Sequence, residues 1–340
     1  MVRASRLLAL ACWLGVVAAP GWAQGIDDPP EAGEEAAQDS PGDPASADQM
    51  DGQSWAGTTA LYAEPPDLAR CRPGVLRPDV TASFVAALNA LRARHGLAPV
   101  RYNHDLEAQA AQAALMMAAN NDLSHDPPPS WKCWTAAGAR AAGSSNLLGG
   151  VSSPYLAYED DNAMLAEWMI EGDSDEIGHR RWILDPNLAQ TSLGRVIAVL
   201  PNGTRVDSAV MTVFNFPGQS EERRASARPV PAFVAWPQGR YPKSFFSPRA
   251  RFSFSVTQDK SETDTVAEVD FSQSNVTISD GTRTVPIRDQ ASDNEGYGLP
   301  NCLSWRADGI EIGVTYTVTI TGIRGVRSSR YTYTFSIVKN

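Results

Sequence analysis

Four histidines, His95, His104, His125 and His179, are the side chains best suited to acid–base or metal chemistry near neutral pH. His95 ends a helical pattern, and we expect its ring to contact the helix C-terminus. His104 begins the next helical pattern, where an exposed surface position is expected. His125 and His179 lie far apart in the sequence, and their spacing matches no metal-binding motif. Spacing alone therefore assigns no reaction to them.

The elements that must position these histidines begin with three helical patterns. The first starts at Thr81, a predicted N-cap, and closes at His95 and Gly96. The second is capped by Asn103, and the third covers 160–171. Each pattern repeats apolar residues at helical spacing, so each helix is expected to bury one face.

Two strand-like runs, 193–200 and 206–214, follow the helices and flank a Pro-Asn-Gly turn at 201–203. This arrangement predicts a β-hairpin. Helices beside a small sheet predict a layered domain of helices and strands over residues 71–218.

Beyond this domain the hydrophobic period changes from helical to two. Residues 219–230 are charged and poor in apolar side chains, so we interpret them as a linker. In residues 231–340, apolar residues alternate with serine and threonine, as in 252–256 and 331–337. One apolar face per strand predicts an all-β sandwich, which we interpret as immunoglobulin-like. The predicted fold class is α+β.

Residues 1–23 have the pattern of a secretory signal peptide. Arg3 and Arg6 form a basic start, and the mostly apolar run 7–19 that follows is shorter than the ~20 residues of a membrane span. We expect cleavage before Gln24. The sequence therefore predicts a secreted protein, extracellular or periplasmic, without a membrane span.

Signal cleavage leaves three cysteines, Cys71, Cys133 and Cys302. Export favours disulfides, and Cys71 and Cys133 fall in the same predicted domain, so we expect them to pair. Closing a loop of roughly 60 residues stabilises a protein by on the order of 4 kcal/mol in the chain-entropy model. Cys302 is expected to be a buried thiol, because nothing near it in the sequence supplies a base or a positive field.

The formal net charge of -10 is concentrated in residues 24–70, where eleven acidic residues face a single base, Arg70. Small, polar and acidic residues dominate this segment, which predicts a disordered acidic linker. It can be a spacer, a protease-sensitive pro-segment or a plain solvated linker. The rest of the chain is near neutral and lacks the dense positive surface that nucleic acid requires, so nucleic acid is excluded as a partner.

Five short motifs resemble those of the CAP superfamily, which contains cysteine-rich secretory proteins, antigen 5 and pathogenesis-related 1, and whose fold unit is the SCP domain. The motifs are Leu88–Arg92 with His95–Leu97, Asn103–Met117, Leu123–His125, Glu167–Met169, and Gly178–Arg180 with Ile183–Leu184. The resemblance covers residues 78–216. It implies an α-β-α sandwich with a cleft that holds two histidines and two acids. A signal peptide, such a domain and a β-sandwich in this order look like a bacterial member.

On this chain the resemblance implies that His125 and His179 are the cleft histidines and Glu171 is the second acid. Ser145 stands where the family has its first acid. Two imidazoles and one carboxylate can hold Zn²⁺ with an open position for water. The serine removes a group that would orient a ligand or accept a proton. The acids that could replace it are Asp173, Asp175 and Glu176.

The resemblance leaves several functions open. The histidines can form a hydrogen-bonded pair that holds the cleft loops together, bind a divalent metal transiently, or catalyse a reaction. The sequence favours a non-catalytic extracellular binding module for a lipid or a partner protein, with zinc as the candidate metal. The alternative is a zinc-assisted hydrolase that uses His125, His179 and Glu171.

Two further groups of residues have open roles. Arg180 and Arg181 are either an anion clamp or a solvent-facing pair, and the second role is the one expected. Four tryptophans can line a ligand groove or pack in the core, and Trp168 is predicted to be a core residue. The four are Trp131, Trp134, Trp168 and Trp182.

Overall fold

A computed structural model describes residues 55–172, 174–214, 230–257 and 269–339. The predicted signal peptide lies outside the described residues, as do Asp173, most of the predicted 219–230 linker and residues 24–54 of the predicted acidic linker. In the described ranges, no helix is long and apolar enough to cross a membrane.

The α-helices in the described part of the chain are α1 (Pro78–Arg94), α2 (Glu107–Asn120), α3 (Ala136–Ala142), α4 (Asp161–Ile170) and α5 (Gly178–Ile183). The prediction of Thr81 as the first N-cap is wrong. Pro78 occupies the first helical position, where its fixed φ suits a helix start, and the Thr81 hydroxyl donates to the Pro78 carbonyl. The predicted cap Asn103 does accept a hydrogen bond, from the Asp105 amide in the 3₁₀ turn before α2.

The strands before residue 214 are β1 (Tyr62–Glu64), β2 (Val75–Leu76), β3 (Arg101–Tyr102), β4 (Ser145–Leu148), β5 (Ser152–Ser153), β6 (Gln190–Thr191), β7 (Leu193–Val199) and β8 (Arg205–Thr212). The predicted hairpin is present as antiparallel β7 and β8. On its other side, β8 pairs with β4 and β5.

Helices cover both faces of this sheet. Val206 and Val210 of β8 join the apolar cluster formed with α2 and α3. Ala209 and Met211 of the same strand join the cluster that contains α1 and α4. Because alternate residues of a strand point to opposite faces, the sheet lies between two helical layers. This α-β-α order is the one that the family resemblance implies.

Residues 55–70 are folded, which corrects the disorder predicted for the whole of 24–70. The Trp55 side chain is buried, and the Arg205 guanidinium lies 5.1 Å from its ring. The Tyr62 hydroxyl bonds two backbone groups of β7. Composition averaged over the segment hides this, because two aromatic side chains anchor residues that are otherwise small and polar.

Cys71 and Cys133 form the predicted disulfide, which ties the segment before α1 to the loop before α3. Cys302 is a buried free thiol, also as predicted. Burial raises the pKa of this thiol to about 11. It is therefore protonated at neutral pH and unsuited to nucleophilic chemistry.

The described residues from 230 onward form two sheets, and we call them the β region. The strands are β9 (Phe233–Trp236), β10 (Gly239–Pro242), β11 (Phe252–Val256), β12 (Asn275–Ser279), β13 (Thr284–Val285), β14 (Ile287–Asp293), β15 (Cys302–Ala307), β16 (Thr315–Thr321) and β17 (Arg330–Val338). One sheet has the order β10-β17-β16-β12-β13 and the other β14-β15-β11-β9. The sheets face each other, since the Phe252 ring centroid is 5.5 Å from that of Phe335. Sheets are thus present as expected, and the immunoglobulin-like assignment stays a prediction.

The β region shares one apolar cluster with α1 and α4. His95 lies at this junction, so the expected contact with its own helix end is replaced by contacts to the β region. Its Nδ1 is 3.0 Å from the Ala235 carbonyl oxygen, and its Nε2 is 3.3 Å from the Tyr241 hydroxyl. Burial lowers the pKa of His95 to about 3, so the ring is neutral. His104 is exposed, as predicted.

Glu159 lies beside a buried ion pair. Arg195 Nη2 is 2.5 Å from Asp207 Oδ2 and 2.5 Å from the Glu159 carbonyl oxygen. The Glu159 Oε2 atom is buried and has no hydrogen-bond partner within the described residues. Burial, followed by the negative charge of Asp207, raises the pKa of Glu159 to about 7.

We expect the substitution Glu159→Gln to remove a pH dependence of stability. The pKa of this carboxyl is about 7 in the folded protein, against 4.5 for the unperturbed group. The folded state therefore keeps a proton that the unfolded state releases, and the free energy of unfolding falls as pH rises between these values. E159Q should match the wild-type Tm at pH 4.5 and exceed it at pH 8. Thermal scans that show the same Tm difference at both pH values would contradict this.

Candidate functional site

The loop between α4 and α5 brings Glu171 and His179 together. Glu171 ends α4 in the left-handed conformation, with φ 45°, which is uncommon for a residue other than glycine. Its Oε1 is 3.0 Å from His179 Nδ1. The same carboxylate accepts the backbone amides of His179 and Arg180 at 3.1 and 3.2 Å. Both carboxylate oxygens are therefore engaged at the start of α5.

The Glu171 contact orients the His179 ring. A carboxylate accepts hydrogen bonds, so in the neutral ring Nδ1 carries the proton and Nε2 presents its lone pair. Nε2 has no hydrogen-bond partner in the part of the chain that the structure describes, and the His179 side chain is 35% exposed. The site thus offers one oriented imidazole nitrogen to a ligand or a metal.

His125 is oriented in a similar way. Its Nδ1 lies 2.8 Å from the carbonyl oxygen of Ala142, at the end of α3, so Nδ1 donates and Nε2 is left available. Gly143 follows Ala142, and a Cβ atom there would lie 3.2 Å from the His125 carbonyl oxygen. The His125 loop therefore packs closely on the segment that leads from α3 into β4.

The start of β4 links the two histidines. Asn146 Nδ2 donates to the His179 carbonyl at 3.0 Å. The short segment 142–146 therefore contacts His125 at one end and His179 at the other. Within it, Ser145 is 3% exposed, and its Oγ has no hydrogen-bond partner among the described residues. The serine at the position of the family acid is thus a buried hydroxyl between the two histidine contacts.

These residues do not form a three-ligand metal centre. In the described ranges, no group of three histidine, cysteine, aspartate or glutamate side chains is placed to hold a metal ion. The Glu171 carboxylate is committed to α5. His125 and His179 nevertheless share a feature of metal-binding histidines, because each has its Nδ1 oriented by an oxygen acceptor. The described contacts therefore do not support a His-His-Glu set, and they leave one ring nitrogen of each histidine available.

Two of the residues suggested as substitutes for the missing acid, Asp175 and Glu176, point to other surroundings in the structure. Asp175 is 87% exposed and pairs with Arg251 and Arg306 of the β region, at 3.3 and 3.1 Å. Glu176 is exposed. Asp173 lies outside the described residues.

Arg180 and Arg181 are buried, so the expectation of a solvent-facing pair is wrong. The Arg180 guanidinium lies 3.8 Å from the Trp236 ring centroid. Arg181 pairs with Asp293 at 2.9 Å. This role has no local signal in the sequence, because α5 is too short to show an apolar face and both partners come from a distant part of the chain.

The four tryptophans differ in how deeply they are buried. Trp168 is buried, as predicted, and its Nε1 donates to the Leu147 carbonyl at 2.9 Å. Trp182 follows Arg181 and stacks on Phe214, with ring centroids 4.7 Å apart. Trp131 and Trp134 are partly buried.

A groove lies away from the predicted site residues. It has a volume of about 720 Å³ and lies between the β1–β2 hairpin and α2, and none of the predicted site residues lines it.

Leu123 and Val151 are exposed apolar side chains, with exposed fractions of 40% and 61%. Gly150 packs on Leu123, since a Cβ on Gly150 would lie 3.0 Å from the Leu123 Cγ. Exposed apolar side chains therefore lie in the loop before His125 and in the segment that packs on it.

Comparison with known proteins agrees with the sequence motifs. The profile of the Cysteine-rich secretory protein family (CAP) matches residues 85–216. This range contains His125, Ser145, Glu171 and His179. A search of curated proteins found no match.

Proposed function

Because residues 85–216 belong to the cysteine-rich secretory protein family, we propose that this protein is a secreted, non-catalytic binding module for a lipid or a partner protein. In this proposal residues 1–23 are the signal peptide, and an immunoglobulin-like β region accompanies the CAP domain outside the cell or in the periplasm. The Cys71–Cys133 disulfide supports an oxidising compartment.

The hydrogen bonds of the Glu171 carboxylate are the main support for the proposal that the site is non-catalytic. It accepts hydrogen bonds from the His179 ring and from two backbone amides. A general base needs a free lone pair within reach of the substrate proton. Here three hydrogen bonds already use the carboxylate to hold α5 and the His179 ring in place, which supports an orienting role for Glu171 over a role as general base.

The groups of the site that remain available to a ligand are suited to binding it. They are the Nε2 atoms of His125 and His179, which can hold a divalent metal such as Zn²⁺ or hydrogen-bond a ligand. Leu123, two residues before His125, and Val151 add exposed apolar side chains. Exposed apolar patches are typical of sites that bind proteins or lipids.

The alternative, a zinc-assisted hydrolase, has less support. It needs a third protein ligand or a free carboxylate beside the metal. Glu171 is engaged elsewhere, and Ser145 stands at the position of the first acid. The pair of Glu171 and His179 is the one feature that this alternative shares with our proposal.

We expect metal binding to depend on the cleft histidines. Zn²⁺ titrated into the mature protein should bind, and His179→Ala should weaken the affinity by about tenfold or more. His104→Ala is the matched control, since this exposed histidine also contacts a carboxylate, at 3.2 Å from Glu107. Calorimetry would contradict a metal cleft if both variants lost the same affinity, or if H179A bound Zn²⁺ like the wild type.

The binding and hydrolase functions are separated by two further measurements. Lipids extracted from protein purified from its own secretion medium, and identified by mass spectrometry, test the lipid version. A blank extract would leave only the partner-protein version. Zinc-dependent hydrolysis of a p-nitrophenyl ester that disappears in His179→Ala would overturn the non-catalytic proposal.

A further inference from the structure

The helix that carries His179 is anchored in the β region by Arg180. Arg180 Nη1 donates to the Arg251 carbonyl at 2.7 Å and lies 3.3 Å from the Ser253 hydroxyl. The Trp236 ring covers the guanidinium at 3.8 Å. These partners belong to β9, to β11 and to the residue just before β11.

The same guanidinium holds the end of α4. Its Nε donates to the Met169 carbonyl at 2.5 Å, and its Nη2 donates to the Ile170 carbonyl at 3.0 Å. Ile170 directly precedes Glu171, and Arg180 directly follows His179. One buried cation therefore joins both backbone arms of the Glu171–His179 pair to the β region.

Because the Arg180 guanidinium is buried, its removal is costly. Arg180 is fully buried, and the acceptors of its hydrogen bonds are carbonyl and hydroxyl oxygens. Burial lowers the pKa of Arg180 to about 10, with the Glu171 charge opposing the shift. The group stays cationic at neutral pH. Removing it leaves buried acceptors without donors.

A second anchor fixes the loop between α4 and α5. Arg306 Nη2 contacts the Ser174 carbonyl at 3.2 Å and Asp175 Oδ1 at 3.1 Å. Arg251 reaches the same Asp175 oxygen at 3.3 Å. The β region thus contacts the loop as well as both helix ends.

We propose that Arg180 is a positioning residue for His179, and that the β region, through Trp236, the Arg251 backbone and Ser253, is a structural part of the cleft rather than a separate module that presents it. The role of the cleft in binding a ligand or metal is taken from the proposed function, and this part of the inference rests on it. The geometry of Glu171 and His179 can be tested without any ligand.

The test uses the full mature chain and long-range ¹H–¹⁵N spectra of the histidine rings, which report the tautomer of each imidazole. In the wild type, His179 should show a protonated Nδ1 bonded to Glu171. Arg180→Gln should lose this signature and weaken Zn²⁺ binding by about tenfold or more. Arg180→Lys should recover part of both signals, because it keeps the charge and fewer of the hydrogen bonds.

Arg181→Gln is the matched control. Arg181 lies on the same helix, is buried, and also bonds the β region, through Asp293 and the Leu299 carbonyl. Within the described residues, its side chain makes no hydrogen bond to a carbonyl of α4, in contrast to Arg180. R181Q should lower stability and leave the His179 ring spectrum unchanged. An unchanged His179 spectrum in R180Q, or an equal change in R181Q, would overturn the proposal.

Ser253→Ala keeps the test decisive if R180Q does not fold. It removes one acceptor of Arg180 and should shift the His179 ring signals in the same direction by a smaller amount. Unchanged signals in S253A would then overturn the proposal. Failure of the wild type to bind Zn²⁺ would count against the metal cleft, whereas the ring spectra alone decide the positioning role.

Discussion

Replacing Gly194 with alanine will destabilise the CAP domain by about 3 kcal/mol or more. Gly194 lies on β7 beneath α2. A Cβ atom there would lie 2.1 Å from the Ala110 carbonyl oxygen and 2.4 Å from the Ala111 amide nitrogen, both backbone atoms of α2. Backbone cannot rotate away as a flexible side chain can, so helix and strand must separate. The apolar cluster between them then loses its packing.

Urea unfolding followed by tryptophan fluorescence measures this loss. Gly178→Ala is the control, because a Cβ at this helical position meets nothing within 4 Å. Alanine favours a helix by up to ~1 kcal/mol over glycine, so G178A should keep or slightly raise stability. A G194A variant as stable as G178A would show that α2 and β7 do not approach as closely as described.

Breaking the ion pair of Arg195 with Asp207 is the second large effect. The two residues make hydrogen bonds of 3.1 and 2.5 Å, and both side chains are buried. Asp207→Asn leaves the guanidinium buried without its counter-charge. Removal of one partner of such a pair typically costs about 3–5 kcal/mol. The free energy of unfolding of D207N, measured in urea at pH 7, should fall by this amount.

Two further variants test whether burial causes the loss. Asp79→Asn breaks the exposed contact with Arg77 and should change stability little. The double variant Arg195→Met with Asp207→Leu replaces the buried pair by apolar side chains and should recover much of the loss. If D207N and D79N behaved alike, the Arg195–Asp207 pair would have to be solvated in solution.

Much of the architecture is readable from local patterns. The helices α1, α2 and α4, the hairpin at 201–203 and the Cys71–Cys133 pairing follow from periodicity, turn residues and shared location. Family motifs implied that Glu171 and His179 share one cleft. The structure shows their contact at 3.0 Å, and the cleft itself stays a prediction. Neither residue alone carries a local signal for this contact, because the loop between α4 and α5 creates it.

Three predictions failed at long-range contacts. Arg180 was expected at the surface, yet its hydrogen-bond acceptors lie on α4 and on a strand of the β region. His95 was expected at a helix end, yet its ring bonds β9 and β10. Residues 55–70 were expected to be disordered, yet Trp55 and Tyr62 pack on β7 and β8. In each case the partner is distant in the sequence. The charge of the residue, or the composition of its segment, by itself favours an exposed position.

The amino-acid sequence by itself determined the resemblance to the CAP family, the helical and strand periods, and the residue types available to the candidate site, because these depend on side chains close together in the chain. The tertiary structure decided what those residues do. It engages the Glu171 carboxylate with α5, leaves the Ser145 hydroxyl buried, and places the Arg180 cation under Trp236. Such roles depend on which donors and acceptors meet across the fold, and burial makes each unmatched group costly.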